Sequence, residues 1–255
     1  MQLLKNFLSI SVSLFLPCAH LIADEDSGTF KSIDSTAPIL TSDLNEKLIR
    51  AIIKGDSIAV QDLIIAGANV NTNVPSDLKD VYDEDKHQTA LMLAARHGNT
   101  NIMKALITAG ANVNSIYGPW RTTALTSAAK QDHADIVELL IAAGANIEST
   151  DLFGATALIN AASGKACELH RDTTIRAIKA LIAAGANVNA TDLIGGTALM
   201  EAAKHNNVHT VKALIAAGAN MDAIDNSGKT ALDWADNYQS FDAYRILRNL
   251  KNHQD

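Results

Sequence analysis

The chain has 255 residues, of which 47% are hydrophobic and only 4% aromatic, so its apolar content is mostly small aliphatic side chains. A chain of this length and composition can bury a sizeable core. The 28 acidic residues outnumber the 21 basic ones, and the net charge of −7 argues against a nucleic acid partner, because sequence-independent phosphate binding needs a positive surface.

Residues 1–23 differ in composition from the rest of the chain. A short start with one positive charge, Lys5, is followed by an apolar stretch and an acidic boundary at Asp24, the pattern of a secretory signal peptide. We expect cleavage after Ala23 and no stable membrane association of the mature chain. An uncleaved membrane anchor is the alternative, because the apolar stretch is near the lower length limit for spanning a bilayer.

The next segment, residues 24–42, is rich in Ser, Thr and Asp and has no helical period, so we expect a flexible N-terminal segment. Order is predicted to begin at Asp43. Asp43 and Glu46 resemble a capping box, and apolar residues at helical spacing follow from Leu48 to Ile53. The first helix of an N-terminal, half-matched repeat is therefore predicted here.

Two short patterns recur along the remaining chain. ALIAAGANVN at 180–189 has close copies at 63–71, 106–114, 140–148 and 214–222. Thr-Ala-Leu triplets begin at Thr89, Thr123, Thr156, Thr197 and Thr230. The triplets start 34, 33, 41 and 33 residues apart, which gives a base period of about 33 residues. Insertions near 72–86 and 163–172 account for the longer spacings.

Each repeat is predicted to form two short helices. In the repeat at 87–114, Thr89 is placed to cap a first helix of mostly small residues, and Gly98 is placed to end it. Gly55, Asp132 and Asn206 hold the same place in other repeats, and all three residue types tolerate the left-handed conformation. A second amphipathic helix then ends at a glycine. No single repeat can bury its apolar face, so the repeats must stack.

These patterns resemble the ankyrin repeat family over about residues 43–250. The resemblance implies an all-α ankyrin repeat solenoid, 43–255, of stacked helix-turn-helix units with projecting hairpin-like turns. The units are 43–72, 87–114, 115–148, 149–189, 190–222 and 223–250. Where the family usually has His after Thr-Pro-Leu, this chain has Met92, Thr126, Ile159, Met200 and Asp233.

Family membership would imply a non-catalytic scaffold that binds a partner protein through its concave face and turn tips. We therefore predict no catalytic, cofactor-binding or metal-binding residues. The candidate partner-binding residues are those that vary between units on these surfaces: Arg96, His97, Tyr117, Trp120, Arg121, Lys130, Phe153, Lys204 and His205.

The two tryptophans each allow two interpretations. Trp120 lies in a tip with Tyr117 and Arg121, the composition of a partner anchor, although it could instead lie flat over neighbouring turns. Trp234 lies in the final unit, whose last helix is more polar and more basic, as suits a C-terminal cap. It is either a buried plug under this cap or an exposed anchor.

The insertions carry the remaining candidates for chemistry. Residues 77–86 include five carboxylates, but they lack the order of a calcium loop, so a solvated acidic tip is expected. In 163–172, Cys167 and His170 form half of a zinc site or a Cys-His pair, without a second ligand pair or an orienting third group nearby. A lengthened inter-helix loop is the preferred interpretation there.

Three functions follow from these features. The first is a periplasmic scaffold that binds another protein. The second is a secreted, extracellular effector that acts on host or competitor proteins. The third is a metal-binding or enzymatic role at 163–172, which zinc analysis with a Cys167→Ala variant would test.

Overall fold

The computed structural model describes residues 37–78, 82, 85–164 and 171–252. The chain divides into two compact units, 1–40 and 41–255, and only residues 37–40 of the first are described. The signal peptide expected at 1–23, most of the segment expected to be flexible, and the Cys167–His170 pair all lie outside the described residues.

Twelve α-helices and no β-strand occupy the described part of the chain. The helices form six consecutive pairs. They are α1 (Ala37–Lys54) with α2 (Ser57–Ile65), α3 (Ala90–His97) with α4 (Thr100–Thr108), α5 (Ala124–Lys130) with α6 (Ala134–Ala142), α7 (Ala157–Ala162) with α8 (Arg171–Ala183), α9 (Ala198–Lys204) with α10 (Val208–Ala216), and α11 (Ala231–Asn237) with α12 (Phe241–Lys251). The predicted all-α solenoid is confirmed.

Threonine sets the start of the first helix in each pair from α3 onward. Thr89, for example, accepts the Met92 N–H at 3.2 Å, which satisfies a backbone donor that the helix itself cannot. At two starts the cap is reciprocal, because Thr126 accepts the Thr123 N–H at 2.9 Å and Asp233 accepts the Thr230 N–H at 2.8 Å. Thr126 and Asp233, which stand where the family usually has histidine, therefore stabilise the starts of their own helices.

A left-handed residue separates the two helices of a pair, as predicted. Gly55, Gly98, Asp132 and Asn206 have φ of 72°, 75°, 58° and 54°. At Gly98 the requirement is also steric, since a Cβ atom there would lie 2.5 Å from the ring of His133 in the next repeat. Glycine at this position therefore lets the chain reverse and lets the next repeat approach.

The core lies between rows of stacked helices. First helices α3, α5, α7, α9 and α11 pack on one another in order, and second helices from α2 to α12 form a second row. Every residue of α3 from Ala90 to Ala95 is buried. Alanine pairs such as Ala94–Ala95 and Ala128–Ala129 are fully covered, and their small side chains let neighbouring first helices approach closely.

Asparagines of the recurring GANVN pattern link one repeat to the next. The Oδ1 atom of Asn114 accepts the Asn146 N–H at 2.7 Å, and its Nδ2 atom donates to the Gly144 carbonyl at 3.1 Å. Equivalent acceptors between repeats lie at Asn71 and Asn189, with Glu148 in the remaining repeat. Within the first unit, Asn45 of α1 accepts the Asn69 N–H in a similar way. These bonds satisfy backbone groups that the turns leave without a helical partner.

The N-terminal helix is longer than expected. It begins at Ala37, within the segment predicted to be flexible, and so Asp43 lies inside α1 rather than at its cap. The Asp43 carboxylate instead contacts Lys47 Nζ at 2.6 Å, one turn along the helix. The expected start at Asp43 was wrong because an internal salt bridge at this spacing resembles a capping pattern in sequence.

The described parts of both insertions are more structured than expected. In the first, Val74 and Leu78 are buried and Asp85 is 2% exposed, so the expectation of a solvated acidic tip is wrong for Asp85. Its carboxylate lies 3.4 Å from Arg96 Nη1 and 3.7 Å from His97 Nε2, at the end of α3. In the second, the last residues belong to α8, which begins at Arg171, rather than to a loop.

Candidate functional site: a groove between turn tips and first helices

The turn tips that precede α5, α7, α9 and α11 are joined into one continuous wall. The Leu152 N–H donates to the Trp120 carbonyl at 2.8 Å, the Leu193 N–H to the Phe153 carbonyl at 2.9 Å, and the Asn226 N–H to the Ile194 carbonyl at 2.9 Å. Each tip therefore sets the position of the next through its backbone.

Large apolar side chains project from this wall. Trp120 is 56% exposed, Phe153 59% and Ile194 57%. The Trp120 and Phe153 rings have centroids 6.1 Å apart with a tilt of 32°, so Trp120 contacts the neighbouring tip and still presents most of its surface. Both features proposed for Trp120 are present together: it lies against a neighbouring turn and it is accessible to a partner.

The first helices supply a polar floor beside the wall. Two cavities of about 480 Å³ and 430 Å³ lie between tips and helices. They share Lys130, Asp151, Phe153 and Asn160 and so form one channel, which we call the inner groove. The first cavity extends from these residues to Arg96 and Trp120, and the second to Asp192, Leu193, Ile194, Glu201 and Lys204.

A tip aspartate organises the second turn of this wall, before α7, and holds it to the helix below. Asp151 Oδ1 accepts the N–H groups of Phe153 and Ala155 at 2.9 and 3.0 Å. Its Oδ2 atom accepts the Asn160 side-chain N–H at 3.1 Å. Asn160 follows Asp151 by nine residues. The hydrogen bond between them fixes one face of α7 to the turn tip that precedes it.

The last repeat uses the same arrangement with a different donor. Asp225 Oδ1 accepts two turn N–H groups, and its Oδ2 atom accepts the Trp234 indole N–H at 2.9 Å. Trp234 is 7% exposed, and Lys204 Nζ lies 5.5 Å from its ring centroid. The structure therefore favours the buried plug for Trp234 over the exposed anchor.

The repeat between these two departs from the arrangement. Asp192 Oδ1 accepts the N–H groups of Ile194 and Gly196 at 3.0 and 2.7 Å, as in the other tips. Nine residues later, however, stands Glu201, which is an acceptor when ionised and has no proton to donate. Two carboxylates therefore line one end of the inner groove, where the neighbouring repeats pair a carboxylate with a donor.

The two carboxylates differ in their protonation behaviour. Burial raises the pKa of Asp192; the N–H groups of Gly196 and Ile194 oppose this, and the nearby charge of Glu201 adds to it. Burial also disfavours ionisation of Glu201, but His205 and Lys204 outweigh it, so the pKa of Glu201 lies below its ordinary value. Lys204 Nζ and His205 Nε2 both lie 3.4 Å from Glu201 oxygens.

Five of the predicted partner-binding residues line the inner groove: Arg96, Trp120, Lys130, Phe153 and Lys204. Within the described residues, the other four lie outside the walls of both cavities. Tyr117 and Arg121 stand on the Trp120 tip, where Arg121 has a φ of 51°. His97 faces Asp85 and His205 faces Glu201.

Sequence reasoning identified Lys130, Phe153 and Lys204 of the second cavity but missed the rest of its lining. Asn160, Asp192, Leu193, Ile194 and Glu201 line it, and none of them was predicted. A comparison of each tip aspartate with the residue nine positions later would have singled out Glu201, because that position holds a donor in the two neighbouring repeats.

In the described ranges, no group of three or more His, Cys, Asp or Glu side chains is placed to hold a metal ion. No helix of the described part is both long and apolar enough to cross a membrane. Cys167 and His170 fall outside these ranges.

Comparisons with known proteins agree with this architecture. The family model described as "Ankyrin repeats (3 copies)" matches residues 48–151 and 165–255. A search of curated proteins gives no match to the chain.

Proposed function

Because the chain belongs to the ankyrin repeat family, whose repeats serve as protein-protein interaction scaffolds, we propose that it binds one partner protein through the inner groove and the adjoining turn tips. The observation that carries this proposal is the row of exposed apolar side chains at Trp120, Phe153 and Ile194 beside a charged floor. Exposed aromatic side chains next to polar groups are typical of the centre of a protein interface.

The groove is also suited to binding because it is held in place before a partner arrives. Backbone hydrogen bonds join the tips, and Asp151 is tied both to its own turn and to Asn160. A surface that loses little conformational freedom on association retains more of its contact energy as affinity. The proposed role is binding, with no catalysed reaction.

Cross-linking in extracts of the native organism tests the proposal. The double variant Trp120→Ala/Phe153→Ala removes the aromatic part of the wall. The matched control is Ile65→Ala, which shortens an 84% exposed apolar residue on α2, away from the groove. We expect the wild type and the control to capture the same protein, identified by mass spectrometry, and the double variant to lose it. Equal capture by all three would overturn the groove as the binding surface.

We propose in addition that the scaffold works in the periplasm. The support is the pattern of residues 1–23, with one basic residue, an apolar stretch and the acidic boundary at Asp24, which is typical of a secretory signal peptide. Fractionation with N-terminal sequencing tests this, and a periplasmic chain that begins at Asp24 is expected. Recovery from the culture medium would overturn periplasmic retention and favour a secreted effector, whereas a cytoplasmic chain that retains Met1 would overturn export.

A further inference from the structure

The end of the inner groove near α9 lacks a donor that both neighbouring repeats possess. Asp151 is paired with the Asn160 amide and Asp225 with the Trp234 indole. At the equivalent place Asp192 has Glu201. A substitution of donor by acceptor places two carboxylates of like charge on one cavity, which disfavours having both of them ionised.

The chain's own cations compensate only in part. Lys204 Nζ lies 3.4 Å from both Glu201 oxygens, and His205 Nε2 lies 3.4 Å from Glu201 Oε2, so both cations face Glu201. Lys204 Nζ also lies 5.4 Å from the centroid of the Tyr238 ring. The charged residues that line the second cavity are Asp151, Asp192 and Glu201 against Lys130 and Lys204, an excess of one negative charge. The whole chain carries −7, which favours the approach of a positively charged partner.

Apolar surface adjoins this acidic end. Leu193 is 70% exposed, and together with Phe153 and Ile194 it forms the wall of the same cavity. A cavity of about 430 Å³ accommodates one or two large side chains rather than a folded domain. Its occupant is therefore a segment that combines apolar side chains with a cation.

We propose that the partner of the inner groove presents an extended segment with a Lys or Arg side chain that lies between Asp192 and Glu201, flanked by apolar side chains that pack on Phe153, Leu193 and Ile194. This inference rests on the proposed scaffold function and specifies its partner. The cation supplies the N–H donors that Asn160 and Trp234 supply in the neighbouring repeats. Its ammonium or guanidinium group makes charge-assisted hydrogen bonds to both carboxylates.

A library of random linear peptides, selected on the purified full chain, tests the proposal. We expect the selected peptides to share a Lys or Arg next to apolar residues. Labelled single peptides are then measured by fluorescence anisotropy against Asp192→Asn and Glu201→Gln, which keep side-chain shape. Each substitution is expected to weaken binding about tenfold, as for loss of a charge-assisted hydrogen bond. Asp62→Asn, an exposed site on α2, makes the same charge change and should leave affinity unchanged.

The outcomes separate this inference from the scaffold function. Selected peptides that need Trp120 and Phe153 but show no basic preference would overturn the cation site and leave the scaffold standing. A preference for basic peptides that persists in the Asp192→Asn/Glu201→Gln double variant would also overturn the cation site. Failure to select any peptide would overturn the proposal that the partner presents an extended segment. Capture of a partner through Trp120 and Phe153 would still support the proposed scaffold function. Thermal unfolding of each variant checks that the fold is intact.

Discussion

The indole N–H of Trp234 donates to Asp225 Oδ2 at 2.9 Å. This bond joins α11, the first helix of its pair, to the turn tip that precedes it. Trp234 is 7% exposed, and the Tyr238 ring lies 6.2 Å away between centroids. A large buried aromatic side chain with a satisfied polar atom therefore fills the space between α11 and its tip.

Trp234→Ala is expected to lower the free energy of unfolding by about 3–5 kcal/mol, the range for loss of a buried aromatic side chain. Urea denaturation followed by circular dichroism measures this. Trp120→Ala is the matched control, because the same atoms are removed from a side chain that is 56% exposed, and a change within about 1 kcal/mol is expected. Equal effects of the two substitutions would contradict the plug role of Trp234.

Asp85→Asn is expected to destabilise the fold by about 1–3 kcal/mol, because it removes the negative charge facing Arg96 and His97. The Asp85 Oδ1 atom has no hydrogen bond in the described structure, although Arg96 Nη1 is 3.4 Å away. The contact is therefore an ion pair without hydrogen-bond geometry. For this reason we expect a loss of stability in the lower part of that range. Chemical denaturation gives the magnitude.

A control for Asp85 lies in the same insertion. Asp77 is exposed, and Asp77→Asn should leave stability within about 0.5 kcal/mol of the wild type. If both substitutions were equally mild, Asp85 would have no structural role, and the insertion would act as the solvated acidic loop that the sequence indicates.

Substitutions at Asn114 separate the two hydrogen bonds that link its repeat to the next. Asn114→Asp keeps the acceptor for the Asn146 N–H but loses the donor to the Gly144 carbonyl. Asn114→Ala loses both. We expect destabilisation by about 1 kcal/mol for Asp and about 2 kcal/mol for Ala, from the usual net value of a hydrogen bond. Thermal and urea unfolding test this order, and a larger loss for Asp than for Ala would contradict it.

Asp192→Asn is expected to stabilise the chain at neutral pH by about 0.5 kcal/mol, a small value because the carboxylate is partly solvated. The pKa of Asp192 is raised in the folded chain, first by burial. Ionisation therefore disfavours folding at neutral pH, and this penalty shrinks as the pH falls below the raised folded pKa and is gone below the unfolded pKa. The gain from Asn should shrink over the same interval in a pH series of urea titrations. A gain that grows toward acid pH would contradict the assigned shift.

The local structure of the repeats was accessible from sequence because its causes are local. Thr89 caps α3 through a hydrogen bond to a residue three positions away, and Asp132 and Asn206 take left-handed conformations that their residue types tolerate. The start of α1 was missed because Asp43 forms a salt bridge at helical spacing. The acidic end of the inner groove was missed because Glu201 was not compared with the donors that hold the same position in the neighbouring repeats.

The sequence by itself determined the repeat period, the order of helices and the position of the turns, since all three follow from short-range spacing that recurs in each unit. Only the tertiary structure decided which side chains share a surface. Stacking brings Trp120 against Phe153 and places Lys130 and Phe153 on the same cavity as Asp192 and Glu201, while the first insertion places Asp85 against the end of α3. These relationships depend on how successive repeats pack and how insertions fold back, which no local pattern encodes.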